Sequence, residues 1–256
     1  MRGASRPHLV RCDDGESYVV KFRDNPQHVR VLANEMLAGR LAALIRLPVP
    51  PAAFVEIPPA LVRQGSPLDF TDPDFGIKRV VPGLHFGSRY PGPVGEVQVV
   101  DFLPDRLLRR VANLESVFPG ALIFDKWTCN CDGRQAVFHR SAVDDVYSVW
   151  LIDHGFCFND GEWNFPDNPL RGLYPRRLVY ECVRGLQSFE PFLSQVENLD
   201  TTDLEQCVEG IPIEWCDDAP AQLHQLAASL YERRRGLRQA LIDAKNSAWH
   251  PFPNWE

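Results

Sequence analysis

The sequence predicts an α+β protein of two lobes, a small antiparallel β-sheet with one packed helix followed by a mainly helical region. Three observations carry that prediction. Short runs of β-branched and aromatic residues flank one long apolar-periodic stretch in the first third of the chain. The pattern changes after Pro82-Gly83, where helical spacing takes over. A turn-bounded strand pair then interrupts the helices between residues 136 and 152. The lobes are accordingly placed at 1–82 and 83–256.

Residues 7–12 and 16–22 read as strands joined through Asp13-Asp14-Gly15, a D-G hairpin signal. Asp24-Asn25-Pro26 is a helix opening, a cap-type residue followed by proline in the first turn. Val29, Leu32, Ala33, Met36, Leu37, Leu41, Leu44 and Ile45 then recur at helical spacing to about residue 47, where Pro48, Pro50 and Pro51 stop the helix. Strands follow at 52–57 and 75–81, giving the order β-β-α-β-β. Beyond the loop Pro91-Gly92-Pro93, helices are expected from near Pro104 and Pro119. After the strand pair come apolar-periodic stretches near 175–187, 189–197 and 201–208. A long final helix over 219–246 opens at Asp218 with Pro220 in its first turn.

The 256 residues suffice for one large domain or two lobes sharing a core. Net charge is −7, with 27 Lys and Arg against 34 Asp and Glu, which weighs against a nonspecific nucleic-acid or anionic-membrane surface. No apolar run approaches the ~20 residues of a membrane span. The first residues lack the apolar core of a secretory signal. A cytoplasmic protein is expected, its seven scattered cysteines reduced. The sequence carries no signal of oligomeric state.

The chemistry concentrates in Asn130-Cys131-Asp132-Gly133-Arg134-Gln135 and Leu151-Ile152-Asp153-His154-Gly155. Strands 136–139 and 146–152 fold back on each other. The loop before the first therefore meets the loop after the second, and Asp132 and Asp153 share one end although about twenty residues separate them. Two such carboxylates suit phosphoryl transfer, one orienting a hydroxyl and the other holding Mg²⁺ on a nucleotide. Lys21, on the strand 16–22, is placed to project as a point charge for phosphate oxygens. Glu35, on the helix that follows, occupies the position of a glutamate that braces such a lysine. His154 is expected to pack rather than catalyse. Phe156, Phe158, Trp163 and Phe165 are expected to pack the segment after Asp153, or to wall a substrate groove. The run Glu232-Arg233-Arg234-Arg235 reads as a solvated helix face.

These residues resemble the HipA-like kinases, in the shorter branch that lacks an extra N-terminal domain. The likeness lies in Tyr18-Val19-Val20-Lys21-Phe22, Asn34-Glu35-Met36-Leu37-Ala38 running into Leu47-Pro48-Val49-Pro50, and Phe86-Gly87-Ser88-Arg89-Tyr90. The Asn130-x-Asp132-x-Arg134 loop and Leu151-Ile152-Asp153-His154-Gly155 complete it, over roughly residues 5–190. The resemblance implies a two-lobed protein-kinase-like fold, distantly similar to the phosphoinositide kinases, and Ser/Thr phosphorylation of a protein substrate. It implies that Lys21 contacts ATP phosphates, that Asp132 is the catalytic base and that Asp153 binds Mg²⁺. Arg134 is a candidate for stabilising the transferred phosphate, or else a partner for Asp132 or Glu162.

The chain departs from the family pattern twice. Val137 stands where an asparagine would be the second metal ligand, leaving Asn130 or Gln135 as substitutes. An alternative register, Asp125-x-x-x-x-Asn130, restores the spacing but puts the aspartate inside an apolar helical run. There Asp125 reads more simply as satisfying a neighbouring group. The acidic turn Asp13-Asp14-Gly15-Glu16 would repel a triphosphate if it covered one. Two further readings therefore stand beside a protein kinase: a kinase-fold binding module with weak or no transfer activity, and a small-molecule kinase.

Overall fold

The computed structural model describes residues 7–23, 27–62, 68–72, 76–217 and 219–256. The first two strands, β1 (His8–Arg11) and β2 (Ser17–Lys21), pair antiparallel with His8 opposite Val20. Their turn closes at Gly15, whose φ of 82° is the left-handed conformation that a D-G turn needs. The helix opening read at 24–26 lies outside the described residues. Helix α1 spans Val31–Leu44 and is buried on nearly every side. It ends with Leu47 N donating to Ala42 O and Arg46 N to Ala43 O, both at 2.9 Å, while Arg46 adopts a left-handed φ of 59°.

Strand β3 (Ala52–Ile57) follows as expected. The strand read at 75–81 does not join it. Instead β4 (Phe70–Asp72) and β5 (Gly76–Lys78) form a separate two-stranded pair, and Phe75 lies outside the described residues. The main sheet is completed by β6 (Gly83–Arg89), which inserts between β2 and β3 in the order β1-β2-β6-β3. The lobe boundary expected at residue 82 is therefore corrected, because residues 83–89 form the inner strand of the first sheet. Pro82-Gly83 opens this strand instead of ending the lobe. Gly87 is required at its centre, since a Cβ there would lie 2.6 Å from Val55 Cγ2.

The second region carries a sheet of its own. Strands β7 (Val97–Val100), β8 (Gln135–Ser141) and β9 (Ser148–Ile152) pair in that order, all antiparallel. Between β7 and β8 lie a short helix α2 (Asp105–Leu108) and the central helix α3 (Leu114–Thr128). Helix α3 starts five residues before Pro119, which sits inside it. The proline cannot donate to Glu115 O; the Cys182 thiol reaches that carbonyl at 3.2 Å. Past the hairpin, 3₁₀ turns at Arg177–Tyr180 and Leu186–Phe189 replace the helix read near 175–187. Helices α4 (Phe192–Glu197), α5 (Thr201–Val208), α6 (Pro220–Arg233) and α7 (Leu237–Lys245) follow. Helix α5 opens on a reciprocal cap between Asp200 and Asp203. The expected single C-terminal helix is broken by the turn Arg234–Gly236. The expected opening residue Asp218 lies outside the described residues.

One core joins α1 to both regions: Leu32, Met36, Leu37 and Leu41 pack in the same cluster as Phe86, Phe124, Phe138 and Leu151. Val20, Phe22, Val55, Ile57 and Val80 form a separate small cluster of the first sheet. Helix α1 thus fixes the first sheet relative to the hairpin β8–β9. Its buried polar residues decide what lies between them.

Candidate active site

Lys21 ends β2 and Glu35 lies in the second turn of α1. The Lys21 amine donates to Glu35 Oε1 and, at 2.7 Å, to Asp153 Oδ1. Glu35 then accepts two backbone amides of the following segment, His154 N at 3.1 Å and Gly155 N at 3.0 Å. That close approach needs glycine at 155, where a Cβ would meet Val31 Cγ2 at 2.7 Å. Asp153 has a left-handed φ of 60°, a conformation costing about 1–3 kcal/mol that surrounding contacts must hold. Burial alone would lower the Lys21 pKa, but Glu35 and Asp153 together hold it above the ordinary lysine value. Burial pushes Asp153 upward, and the Lys21 ammonium outweighs it, keeping Asp153 below the usual carboxylate range. For Glu35 burial is the largest influence and raises its pKa against the pull of Lys21.

Asp132 lies exposed in the loop before β8, its Oδ1 accepting Gly133 N at 2.7 Å. Gln135 is the exposed first residue of β8 and pairs in register with Ile152. The hairpin register therefore sets the loop 130–134 beside Asp153. Val137 lies on β8 opposite Trp150. Lys21, Glu35 and Asp153 are in direct contact, with the loop of Asp132 and Gln135 at the adjoining hairpin end.

Arg134 and Asn130 are placed otherwise, and both expectations are corrected. Arg134 is 3% exposed and turned inward. Its Nε donates to Asp125 Oδ2 at 2.9 Å, its Nη2 to Asp125 Oδ1, and its Nη1 to Ile152 O at 2.9 Å. Every nitrogen of the fork has a protein partner, which holds the group inward and away from a phosphate. Asn130, 1% exposed, donates its amide to Asp125 Oδ1 at 2.9 Å and accepts Asp132 N at 3.1 Å. Both ends of that side chain hold the loop in shape and neither faces a metal. Asp125 is fully buried at the centre of this network, as suits a helix residue satisfying its neighbours.

His154 joins the two clusters. Its Nδ1 lies 3.2 Å from Arg134 Nη1, and a guanidinium only donates, so Nδ1 accepts and the ring hydrogen sits on Nε2. Burial and the neighbouring guanidinium keep its pKa well below the ordinary value, so the ring is neutral. It packs edge-on to Phe124 at 5.7 Å.

One residue to which the sequence assigns no role is Asn34. It is fully buried. Its amide donates to the carbonyls of Gly155, Cys157 and Asp160 at 2.8, 3.0 and 2.7 Å, and its oxygen accepts the Trp163 indole at 2.7 Å. The pair Asn34-Glu35 thus pins the whole segment after Asp153 to α1. The available signal was two adjacent polar residues interrupting an apolar helix. Phe158 is buried, Arg30 stacks over Trp163 at 4.4 Å and Arg233 over Phe165 at 4.4 Å. The aromatic run packs this segment. Arg233 and Arg234 also donate into backbone carbonyls, and only Glu232 and Arg235 of that run, paired with each other, fit a solvated face.

The acidic turn lies at the opposite end of β2 from Lys21. Five residues at about 3.3 Å each separate them by roughly 15 Å. Tyr18 donates to Asp14 at 2.8 Å, and Arg89 pairs with Glu16.

A sheet lobe carrying a lysine, a helix carrying its glutamate, and a helical lobe whose hairpin presents aspartates define a kinase-like fold. Solved structures share it: the Golgi casein kinase (11% identity, TM-score 0.55, over 96% of this chain and 73% of that one) and the Helicobacter pylori proinflammatory kinase CtkA (13% identity, TM-score 0.56, over 95% and 90%). No curated protein sequence matches the chain. The family model of the HipA-like kinases matches residues 1–246, and the chain belongs to that family of phosphotransferases.

Proposed function

We propose that this kinase uses ATP and Mg²⁺ to phosphorylate serine or threonine side chains of a protein substrate. The observation that carries the proposal is the Lys21 amine held between Glu35 and Asp153 at the hairpin end that also presents Asp132. Lys21, kept charged by its two carboxylates, binds phosphate oxygens. Asp132, exposed and free of a cationic partner among the described residues, accepts or orients the proton of the incoming hydroxyl. Catalysis is otherwise positioning and charge neutralisation.

The oxygen donors of Asp153, Asp132 and Gln135 suit a hard cation. Among the described residues no group of three His, Cys, Asp or Glu forms a metal cage. Mg²⁺ at kinase sites is held by one or two carboxylates together with substrate phosphates, so a pair is enough. Asp153, with Asp132 and Gln135 at the adjoining hairpin end, would hold that ion, which would supply positive charge against the transferring phosphate. With Val137 in place of asparagine and Asn130 engaged, Gln135 is the amide assigned to assist Asp153.

The test incubates purified protein, γ-labelled ATP and a cell extract. Label is expected in precipitated protein, as phosphoserine or phosphothreonine. Asp132→Asn and Asp153→Asn should each reduce incorporation at least ~100-fold, the scale of one preorganised electrostatic contact. Label confined to small molecules would overturn the protein substrate, and full activity in Asp153→Asn would overturn its role. Val137 favours a second reading, a binding module with weak transfer. That reading requires stabilisation by millimolar Mg²⁺-ATP in a thermal shift without incorporation of label.

A further inference from the structure

A cavity of about 370 Å³ opens between the end of α1, the start of α3 and the outer edge of β9. None of Lys21, Glu35, Asp132, Gln135 or Asp153 lines it. Tyr147 on that edge bonds to Arg110 and Ala112, and Leu151 N donates to Pro48 O at 2.8 Å. Val149 lies between them and faces the same side by strand alternation. The gap at Val149, where no such neighbouring strand segment pairs, is the floor of the cavity.

Several polar groups line it. Arg46, Asn113 and Ser148 are solvent-exposed at its mouth, and their side chains form no hydrogen bond or ion pair with the described residues. His139 Nε2 is shielded from solvent without a partner, and its ring packs against Trp150 at 4.8 Å. No acidic side chain lines the space.

Two of the lining residues, Arg46 and Asn113, have left-handed backbone conformations, as do eight other non-glycine residues among those described. Arg46 fills the left-handed position that closes α1, where glycine is the usual residue. Asn113, at the start of α3, is also left-handed, at φ 55°, and does not use its side chain as a cap. The Arg46 guanidinium supplies the positive charge of a cavity lined by no carboxylate.

We propose that this cavity binds a small monocarboxylate with an apolar or aromatic body. The carboxylate lies on Arg46, whose planar fork accepts it through two parallel bonds, and the body lies against Trp150 and Val149. One guanidinium beside a neutral imidazole matches a single negative charge, and the volume is that of a small-molecule site. This site is independent of the phosphotransfer assignment.

Calorimetric titration of the full chain with 3-phenylpropionate tests it, with the neutral 3-phenylpropionamide as the paired probe. The carboxylate is expected to bind the wild type and Asp153→Asn equally, and the amide at least tenfold more weakly. Arg46→Gly should lose at least tenfold in carboxylate affinity while melting no lower than wild type, because glycine suits the left-handed position. A folded Arg46→Gly that binds as the wild type does, or no binding of the carboxylate at 10 mM to the wild type, overturns the proposal. Loss of binding in Asp153→Asn alone also overturns it, by placing the probe in the nucleotide cleft.

Discussion

Two buried charge clusters flank the end of β9, and they are built on opposite terms. Asp125 and Arg134 form a closed pair, their side chains 0% and 1% exposed, with every polar atom of the guanidinium fork directed to a protein acceptor or His154. Lys21, Glu35 and Asp153 set one cation against two carboxylates, and Asp153 keeps 21% of its side chain open. A neutral, sealed pair suits a scaffold, because it leaves neither charge nor access for a ligand. An unbalanced and partly open cluster suits a site that receives a cation and a polyanion. His154 connects them, its amide on Glu35 and its ring against Arg134.

The comparison breaks first at Asp125. Asp125→Asn leaves a buried guanidinium uncompensated and should cost about 3–5 kcal/mol in urea unfolding. The double replacement Asp125→Leu with Arg134→Met should recover most of that loss, since an apolar pair removes both buried charges. A loss under ~1 kcal/mol for Asp125→Asn would show that this cluster is not the scaffold. Lys21→Met addresses the other cluster: transfer activity should fall at least ~100-fold, measured as label incorporation at saturating ATP.

Acid sharpens the contrast through the residue shared by both clusters. His154 has its folded pKa well below the unfolded value of about 6.5, so the unfolded chain takes up the proton first. Its neutral form therefore supports folding fully above about pH 6.5, and that support is lost as pH falls toward the folded value, by at most ~1.4 kcal/mol per pH unit. His154→Gln should flatten this slope in unfolding curves between about pH 6.5 and 5. Asp153, also depressed, adds a separate loss only below its unfolded pKa of about 3.9. The smallest effect concerns the turn at 13–16. Asp13→Asn with Asp14→Asn should change the KM for ATP by less than about twofold, because the turn lies beyond a screening length of roughly 8–10 Å from Lys21. A larger drop in KM would place the turn over the phosphates.

Much of the fold was legible because its signals are local. Helix α5 was read at its observed bounds, and β1, β2, β3 and the hairpin strands within a few residues, from alternation, helical spacing and turn residues. Strand β6 was missed because Pro82-Gly83 resembles a domain break and because Gly87 weakens the strand pattern; only its neighbours Val55 and Tyr18 explain that glycine. Strand β7 is four residues long, and its ladder partner lies some forty residues away. At the candidate site, Lys21, Glu35 and Asp153 were found by their order along the chain. For Arg134 the sequence offers a phosphate, Asp132 or Glu162, and not its observed partner Asp125, which sits nine residues earlier inside a run that reads as an apolar helix.

By itself the sequence determined the α+β class, the elements with strong local signals and the family, since each follows from short-range pattern or motif order. The tertiary structure alone decided which charges face the cleft and which are sealed inside. That choice depends on partners far apart in the chain, such as Lys21 with Asp153 and Asn34 with Gly155, 132 and 121 residues apart. Whether a charged side chain is buried at a cost or left open depends on the groups that surround it, and those groups come together only when the lobes pack on α1.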